Sequence, residues 1–326
     1  MGRLLISGAT GFIGRSLAQF YHGSNWNLRL LVRDSSRVSR DVEKLGEIIC
    51  GDITKPERLP AAMRGVDAII HSAGMLGQWG SPYRKLYEVN VGGVGNLLRA
   101  AAAAGVQRIV HLSAGGVTGP LNEPFVDESY LPAPRTDYER SKWEGEQLAL
   151  NLSKELNLNL IVVRPTFTYG PGDPHKLKLF QMIQRGRFFF IGDGLSTIHP
   201  VYIDDLLAGI DLALKSDMRG ETVIVGGDHA VSKRELVWSI AAALGRRKPE
   251  TRIPIWLGKA LARGCEMSAG LLGFSPPLTQ SRVLMLSRNW GYSIEKARNR
   301  LGYSPSVNLR EGLRLTIQWY REQGWL

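Results

Sequence analysis

Two residues that could transfer a proton stand four positions apart in the stretch YERSK, at Tyr138 and Lys142. On a helix, residues four apart lie on the same face, so the phenol and the ammonium would point into one cleft. A lysine cation beside a tyrosine favours the phenolate and lowers the tyrosine pKa from about 10 towards neutrality. Such a group can give a proton to, or take one from, the oxygen of an alcohol–ketone pair. A surface Tyr–Lys pair without catalytic function is the alternative.

A second pattern is formed by three glycines in the stretch ISGATGFIG, at Gly8, Gly11 and Gly14. A strand-to-helix turn needs glycine where the backbone turns tightly, where it approaches a pyrophosphate and where the helix packs on the strand. The helix N-terminus adds the positive end of its dipole. The pattern predicts a dinucleotide site, although its GxxGxxG spacing is one residue longer than the usual GxGxxG. A glycine turn without a ligand is the alternative.

The end of the second apolar run, LLVRDSSR, indicates which dinucleotide binds. An acidic residue at this point bonds the ribose 2′-hydroxyl of NAD, whereas an arginine accommodates the 2′-phosphate of NADP. Arg33 takes the strand-end position and Asp34 follows it. The sequence therefore favours NADP over NAD, with Asp34 on the ribose as the alternative. Asp52, in CGDIT, is placed to meet the adenine amino group.

Strands and helices must position these residues. Along the chain, short apolar runs alternate with helical patterns. Strands are predicted at RLLIS, LRLLVR, GEIIC, VDAIIHSA, QRIVHLS and NLIVVRP, and helices from about residue 12, over 83–104 and over 138–156. Strands that are apolar on both faces and separated by helices form a parallel sheet covered on both sides. We predict an α/β fold of Rossmann type, with a doubly wound parallel sheet and a smaller, mostly C-terminal substrate lobe.

After Pro165 the pattern becomes irregular, with short helices and a few strands such as HPVYI and ETVIV. The stretch YGPGDP is the predicted crossover between the two lobes. We assign residues 1–172 to the dinucleotide-binding domain, with residues 197–226 returning to it. Residues 173–196 and 227–326 form the predicted substrate lobe.

The composition limits the partners and the compartment. The formal net charge is +11, but the basic residues are scattered rather than clustered beside aromatics, which disfavours nucleic acid. Two cysteines without a CxxC spacing, and histidines without an HxxxH spacing, predict neither a disulfide framework nor a catalytic metal. No apolar run is long enough for a transmembrane helix, while peripheral contact with a membrane stays open. The chain start has no signal-peptide pattern, which predicts a cytoplasmic protein.

The motifs together resemble the extended short-chain dehydrogenase/reductase family over nearly the whole chain. The similar stretches are GATGFIG, GDIT, AIIHSAG, NVGGVGNLL, RIVHLSAGGVTG, YERSK, VVRPTFTYGPGD and HPVYIDD, in the family's order. The resemblance implies an enzyme in which Tyr138 is the general acid/base and Lys142 holds the nicotinamide ribose and lowers the tyrosine pKa. It also implies further cofactor contacts from Thr10, Phe12, Ile13, Ile53, Ser72, Ala73, Gly74, Asn90, Ser113, Pro165 and Thr168.

One position departs from the family pattern. The family has a Ser or Thr after the fifth strand that bonds the substrate oxygen, and Ala114 occupies that position here, with Ser113 one residue earlier. Neighbouring residues of a strand face opposite ways, so Ser113 can be catalytic only if the strand end bends. Thr118 is another hydroxyl candidate. A cofactor-binding regulatory or assembly subunit with weak catalysis is the alternative that follows.

The segment GDGLSTIHPVYIDD indicates the class of substrate. Sugar-nucleotide epimerases and dehydratases resemble it but place an arginine for the diphosphate where this chain has Ile198. The segment is more similar to the 3β-hydroxysteroid dehydrogenase and dihydroflavonol reductase branch. The resemblance implies an NAD(P)-dependent oxidoreductase that interconverts a hydroxyl and a keto group on a small hydrophobic molecule. A nucleotide-sugar epimerase or dehydratase is the other alternative, and a homodimer stays open.

Overall fold

The computed structural model describes residues 2–106 and 108–326. In chain order, its strands are β1 (Gly2–Ser7), β2 (Trp26–Val32), β3 (Glu47–Cys50), β4 (Ala68–His71), β5 (Arg108–Leu112), β6 (Asn159–Pro165), β7 (Phe167–Tyr169), β8 (Phe190–Ile191), β9 (Thr197–Ile198), β10 (Pro200–Tyr202), β11 (Glu221–Val225), β12 (Val231–Ser232) and β13 (Arg252–Ile253). A central sheet has the order β11-β6-β5-β4-β1-β2-β3, and all its neighbours are parallel.

Helices connect and cover these strands. They are α1 (Phe12–Tyr21), α2 (Arg40–Glu43), α3 (Leu59–Met63), α4 (Tyr83–Tyr87), α5 (Gly93–Ala103), α6 (Asp137–Glu155), α7 (Leu177–Gln184), α8 (Ile203–Lys215), α9 (Lys233–Ala243), α10 (Ile255–Leu272), α11 (Gln280–Ser287), α12 (Glu295–Leu301) and α13 (Leu309–Glu322).

Both faces of the central sheet are buried, which explains why its strands are apolar throughout. Side chains such as Ile70 and Val110 face a cluster that includes α1 and α8. Their strand neighbours Ile69 and Ile109 face the opposite cluster, which includes α3, α5 and α6. The arrangement confirms the predicted doubly wound α/β fold.

The predicted helix over residues 83–104 is interrupted. A π-helical turn, Glu88–Gly92, separates α4 from α5 and accommodates one extra residue. The sequence pattern did not indicate it, because its cause is tertiary: Asn90 is drawn inward by bonds to a neighbouring loop.

The second lobe also differs from the predicted short helices, since α10 has 18 residues and α13 has 14. Its segment from Asn289 to Tyr292 crosses back to the first lobe. Isolated bridges join Leu121 to Asn289 and Val126 to Tyr292. This crossing brings Tyr292 against the loop that follows β5. The predicted domain boundaries stay a prediction.

Candidate active site

The three glycines form the turn between β1 and α1, and the surroundings of Gly8 and Gly14 require glycine. Gly8 has φ +75°, and a Cβ on it would lie 2.7 Å from the backbone nitrogen of Ala73. A Cβ on Gly14 would lie 2.1 Å from the carbonyl oxygen of Gly8. The Gly11 amide donates to that same carbonyl over 2.9 Å. The turn is therefore as tight as the sequence predicts, with the helix packed directly on the strand end.

The N-terminus of α1 fits a dinucleotide pyrophosphate. Gly11 is its N-cap, and no described side chain caps the helix. The amides of the first turn are thus open to an anion, which the helix dipole also attracts. Thr10 is exposed beside them, while Phe12 and Ile13 are half-buried.

Arg33 and Asp34 follow β2 and have different surroundings. Arg33 is exposed and makes no hydrogen bond to any described residue. Asp34 accepts hydrogen bonds from the amide and the hydroxyl of Ser36, at 3.0 and 2.6 Å. Both of these bonds go to one carboxylate oxygen of Asp34, whereas the Arg33 guanidinium makes no described bond with which a phosphate would compete.

Asp52 and Ile53 lie at the carboxyl edge of the sheet, after β3. One carboxylate oxygen of Asp52 accepts from the amide and the hydroxyl of Thr54, at 2.9 and 2.8 Å. Ile53 is buried and packs on Gly93, where a Cβ would lie 2.6 Å from its Cδ1. Asp52 is half-buried and keeps its second oxygen for a ligand.

The loop after β4 is held by three side chains, those of Ser7, Ser72 and Asn90. Ser72 donates its hydroxyl to the Ser7 carbonyl over 2.6 Å, and the Ala73 amide donates to the Ser7 hydroxyl over 3.2 Å. Asn90 accepts from the Met75 amide over 2.7 Å and donates to the Met75 carbonyl over 3.0 Å. Asn90 therefore shapes this loop. Its predicted contact with the cofactor stays a prediction.

Tyr138 and Lys142 share one face of α6, as the sequence predicts. The helix begins in a capping box of Thr136 and Glu139, which fixes Tyr138 in the first turn. The Lys142 ammonium is buried and donates to the Leu112 carbonyl over 2.7 Å. A Cβ on Gly74 would lie 3.8 Å from this ammonium. Lys142 thus stands between the end of β5 and the loop after β4.

The pKa of Tyr138 differs from the sequence prediction. Burial, together with the charge of Glu139, raises the pKa of Tyr138 to about 12. Burial lowers the pKa of Lys142 to about 8, against an opposing effect of Glu146. The predicted lowering of the Tyr138 pKa is therefore wrong for the protein alone, because burial disfavours the charged phenolate.

The hydroxyls near the end of β5 are not exposed to the cleft. The Ser113 oxygen is buried and has no hydrogen-bond partner among the described residues. Ala114 is extended, at φ −154° and ψ 144°, so the alternation of the strand continues through it. Thr118 is also buried, and its hydroxyl lies within 3.1 Å of the Gly115 and Gly119 carbonyls.

Two residues at this site, Gly77 and Tyr292, were not predicted from the sequence. A Cβ on Gly77 would lie 2.9 Å from the Cβ of Tyr138, so the loop passes directly over the tyrosine. A Cβ on Gly115 would lie 3.1 Å from the Pro165 carbonyl and 3.2 Å from the Tyr292 ring. Glycine in the AGMLGQWG loop was a usable signal for Gly77, whereas no local pattern indicates Tyr292.

Two buried histidines lie close to Lys142, and no sequence pattern indicates a role for them. His71 and His111 pair across β4 and β5, with ring centroids 5.2 Å apart. The Nδ1 atom of His71 lies 2.7 Å from the Ser7 hydroxyl, while both ring nitrogens of His111 lack a described partner. Burial and the Lys142 charge lower the pKa of His71 to about 3 and that of His111 well below its usual value. Both rings are therefore neutral.

Beyond Pro165, the side chains next to β7 are mostly apolar. Thr168 lies in β7, its hydroxyl donating to the Thr166 carbonyl over 3.2 Å. A cavity next to β7 is lined by Phe167, Phe190, Ile191, Ile198, Leu236 and Met285, among others. Lys233 also borders it, but its buried ammonium bonds Ser196, Thr197 and Arg288.

Comparison with known proteins identifies the family. The model of the NAD dependent epimerase/dehydratase family matches residues 4–226. The chain belongs to this family. It is 30% identical to a 2-alkyl-3-oxoalkanoate reductase of Stenotrophomonas maltophilia, over 96% of this chain and 97% of the relative. It is 28% identical to a 3 beta-hydroxysteroid dehydrogenase/Delta 5-->4-isomerase of Mycobacterium tuberculosis, over 98% and 90%. The crystal structure of gox2253 matches with a TM-score of 0.84, at 28% identity, over all of both chains.

Membership confirms the predicted extended short-chain dehydrogenase/reductase family and the prediction of an enzyme. No helix of the described residues has the length and apolarity to cross a membrane. Within residues 2–106 and 108–326, no cluster of histidine, cysteine or carboxylate side chains is placed to hold a metal. The predictions of no catalytic metal, of the compartment and of the oligomeric state stay predictions.

Proposed function

We propose that this enzyme of the epimerase/dehydratase family is an oxidoreductase that interconverts a hydroxyl and a keto group on a hydrophobic substrate. The observation that supports this most is the burial of Ile198 among apolar side chains beside β7, at the position where relatives that act on sugar nucleotides would need a cation. A diphosphate there would lose its water without gaining a free cation, because the bordering Lys233 ammonium is already bonded to Ser196, Thr197 and Arg288. An alkyl or polycyclic substrate would not carry this desolvation cost.

The residues of the site have distinct roles in this proposal. Tyr138 gives the proton to the carbonyl oxygen during reduction and takes it back during oxidation. Lys142 holds the nicotinamide ribose, and the uncapped N-terminus of α1 holds the pyrophosphate. A bound nicotinamide supplies or accepts the hydride.

NADP is the proposed cofactor, with NAD as the alternative. Arg33 is exposed at the end of β2 and has no described hydrogen-bond partner. The Asp34 carboxylate, in contrast, is engaged with Ser36. A charge-assisted bond from Arg33 to a 2′-phosphate fits these surroundings better than a ribose hydroxyl on Asp34.

A panel of ketones tests the function directly. Consumption of NADPH should rise with the apolar surface of the ketone, and mass spectrometry should find the released alcohol. UDP-sugars, tested with product chromatography, form the second arm. Turnover of a UDP-sugar without net NADPH consumption, and no turnover of any ketone, would replace the proposal with the epimerase alternative.

A second candidate, cofactor binding with weak catalysis, is favoured by the position of the hydroxyls. Ala114 lacks an oxygen, and those of Ser113 and Thr118 are buried. A missing transition-state donor costs about 100-fold or more in rate. Ala114→Ser should therefore raise kcat with the best ketone, while Ser113→Ala should leave it nearly unchanged. The reverse pattern would make Ser113 catalytic, and no turnover by any variant would favour the regulatory subunit.

A further inference from the structure

The outer face of helix α10 is apolar and uncovered. Its large side chains are exposed over much of their surface: Leu271 by 86%, Leu272 by 76%, Trp256 by 70%, Met267 by 64% and Leu261 by 47%. We call these five residues the outer face. The inner side of the helix packs through small residues, Gly258, Ala262 and Ala269.

This outer face has no charged residue. At about 100° per residue, the five side chains and the small residues between them occupy the arc opposite Ala262. The charged residues of the helix, Lys259, Arg263 and Glu266, lie outside that arc. Contiguous exposed apolar side chains of this kind mark an interaction site rather than an ordinary surface.

The surroundings of the outer face are strongly basic. Residues 246–282 contain seven basic and two acidic residues, a net charge of +5. The seven basic residues are all exposed: Arg246, Arg247, Lys248, Arg252, Lys259, Arg263 and Arg282. None of them forms an ion pair with a carboxylate of the described residues. Their charge is therefore available to a partner.

We propose that the outer face of α10 docks on an anionic phospholipid surface. An amphipathic helix with an apolar face and flanking cations lies in the plane of a membrane interface, where each basic residue near the surface adds to the attraction. The helix does not reach the length and apolarity of a membrane span, which fits docking rather than insertion. A second copy on the same face would bring two basic surfaces together, which their charges oppose.

Docking would also place the apolar cavity near the membrane. Helix α11 packs on α10, and its Met285 and Leu286 line that cavity together with Phe167. An apolar substrate could then pass from the bilayer to the site, a consequence that rests on the proposed function. Docking itself does not, because vesicle binding requires neither cofactor nor substrate.

Co-sedimentation of the full chain with vesicles tests the docking. Vesicles of phosphatidylcholine are compared with vesicles that also contain phosphatidylglycerol, at low and high salt. The protein should bind the anionic vesicles, and salt should weaken the binding. Leu271→Glu should weaken the binding by about 10-fold or more, because it places a charge where the exposed leucine would enter the vesicle surface. Trp256→Ser, at the other end of the helix, should act in the same direction.

Matched controls separate docking from general stickiness. Leu131→Glu changes a leucine that is 83% exposed on another surface and should leave binding unchanged. Lys259→Glu with Arg263→Glu should remove the preference for anionic vesicles, whereas Arg310→Glu should not. Circular dichroism checks that each variant is folded. Equal binding to both vesicle types, full binding by Leu271→Glu, or a dimer abolished by Leu271→Glu without vesicle binding would each overturn the proposal.

Discussion

Tyr138 is half-buried beneath the loop at Gly77, and the ammonium of Lys142 is fixed on the Leu112 carbonyl. In the proposed reaction this phenol is the group that gives its proton to the carbonyl oxygen. Tyr138→Phe should therefore lower kcat by about 100- to 10,000-fold while leaving the Kd of NADPH nearly unchanged. Steady-state kinetics and fluorescence titration measure the two quantities.

Lys142→Ala should lower kcat and also weaken NADPH binding, because the ammonium has a binding and an electrostatic role. Tyr83→Phe is a matched control, since it removes a different phenol, one that donates to Glu144 of α6. Near wild-type turnover of Tyr138→Phe would exclude the proposed role of Tyr138.

Arg33 provides a separate test of cofactor choice. Loss of a charge-assisted hydrogen bond to a phosphate costs about 1.5–3 kcal/mol, so Arg33→Ala should weaken NADPH binding by about 10- to 150-fold and NADH binding much less. Lys44→Ala removes an exposed cation before β3 and should affect neither. Isothermal titration with each cofactor measures the difference. Equal weakening of both cofactors would contradict NADP preference.

At the scale of elements, α6 and the π-helical turn are in direct contact. A Cβ on Gly145 would lie 2.1 Å from the Asn90 carbonyl oxygen, and Asn90 also donates to the Ser141 hydroxyl over 2.9 Å. Gly145→Ala should therefore destabilise the fold by about 1–3 kcal/mol, because backbone must move to admit the methyl group.

Gly264→Ala is the matched control for that substitution. Gly264 is also within a helix, but a Cβ there meets nothing within 4 Å. Alanine has the higher helix propensity, so this variant should be stabilised by up to about 1 kcal/mol. Urea unfolding of the two variants measures both effects. Similar changes in the two would show that contact with Asn90 is unimportant.

At the scale of the whole molecule, His111 makes stability depend on pH. Its pKa in the folded protein lies well below 6.5, so below that pH the unfolded chain binds a proton that the folded protein does not. Acid therefore favours unfolding, at about 1.4 kcal/mol per pH unit for each such group.

His111→Leu should reduce this dependence. Between pH 7 and pH 5, the variant should lose about 2 kcal/mol less free energy of unfolding than the wild type. Urea titrations at both pH values measure the difference. An unchanged pH dependence of stability in His111→Leu would show that the His111 ring takes up a proton as readily in the folded protein as in the unfolded chain.

Local patterns predicted the elements and much of the site. Gly8 and Gly14 are determined by a turn within the first 14 residues, and Tyr138 with Lys142 by one helix face, so the sequence alone was sufficient. Tyr292 is brought in by a bridge to Val126, far along the chain, which no local pattern contains. The Tyr138 pKa was predicted in the wrong direction because it depends on burial, a property of the assembled fold.

The extra residue in the π-helical turn Glu88–Gly92 sets the helical phase of everything on either side of it. Without that residue the segment would close as regular α-helix, and α4 would rotate by about 100° relative to α5. The side chain at position 90 would then leave the Met75 backbone and release the loop over Tyr138. The segment should therefore tolerate almost no change in length in evolution.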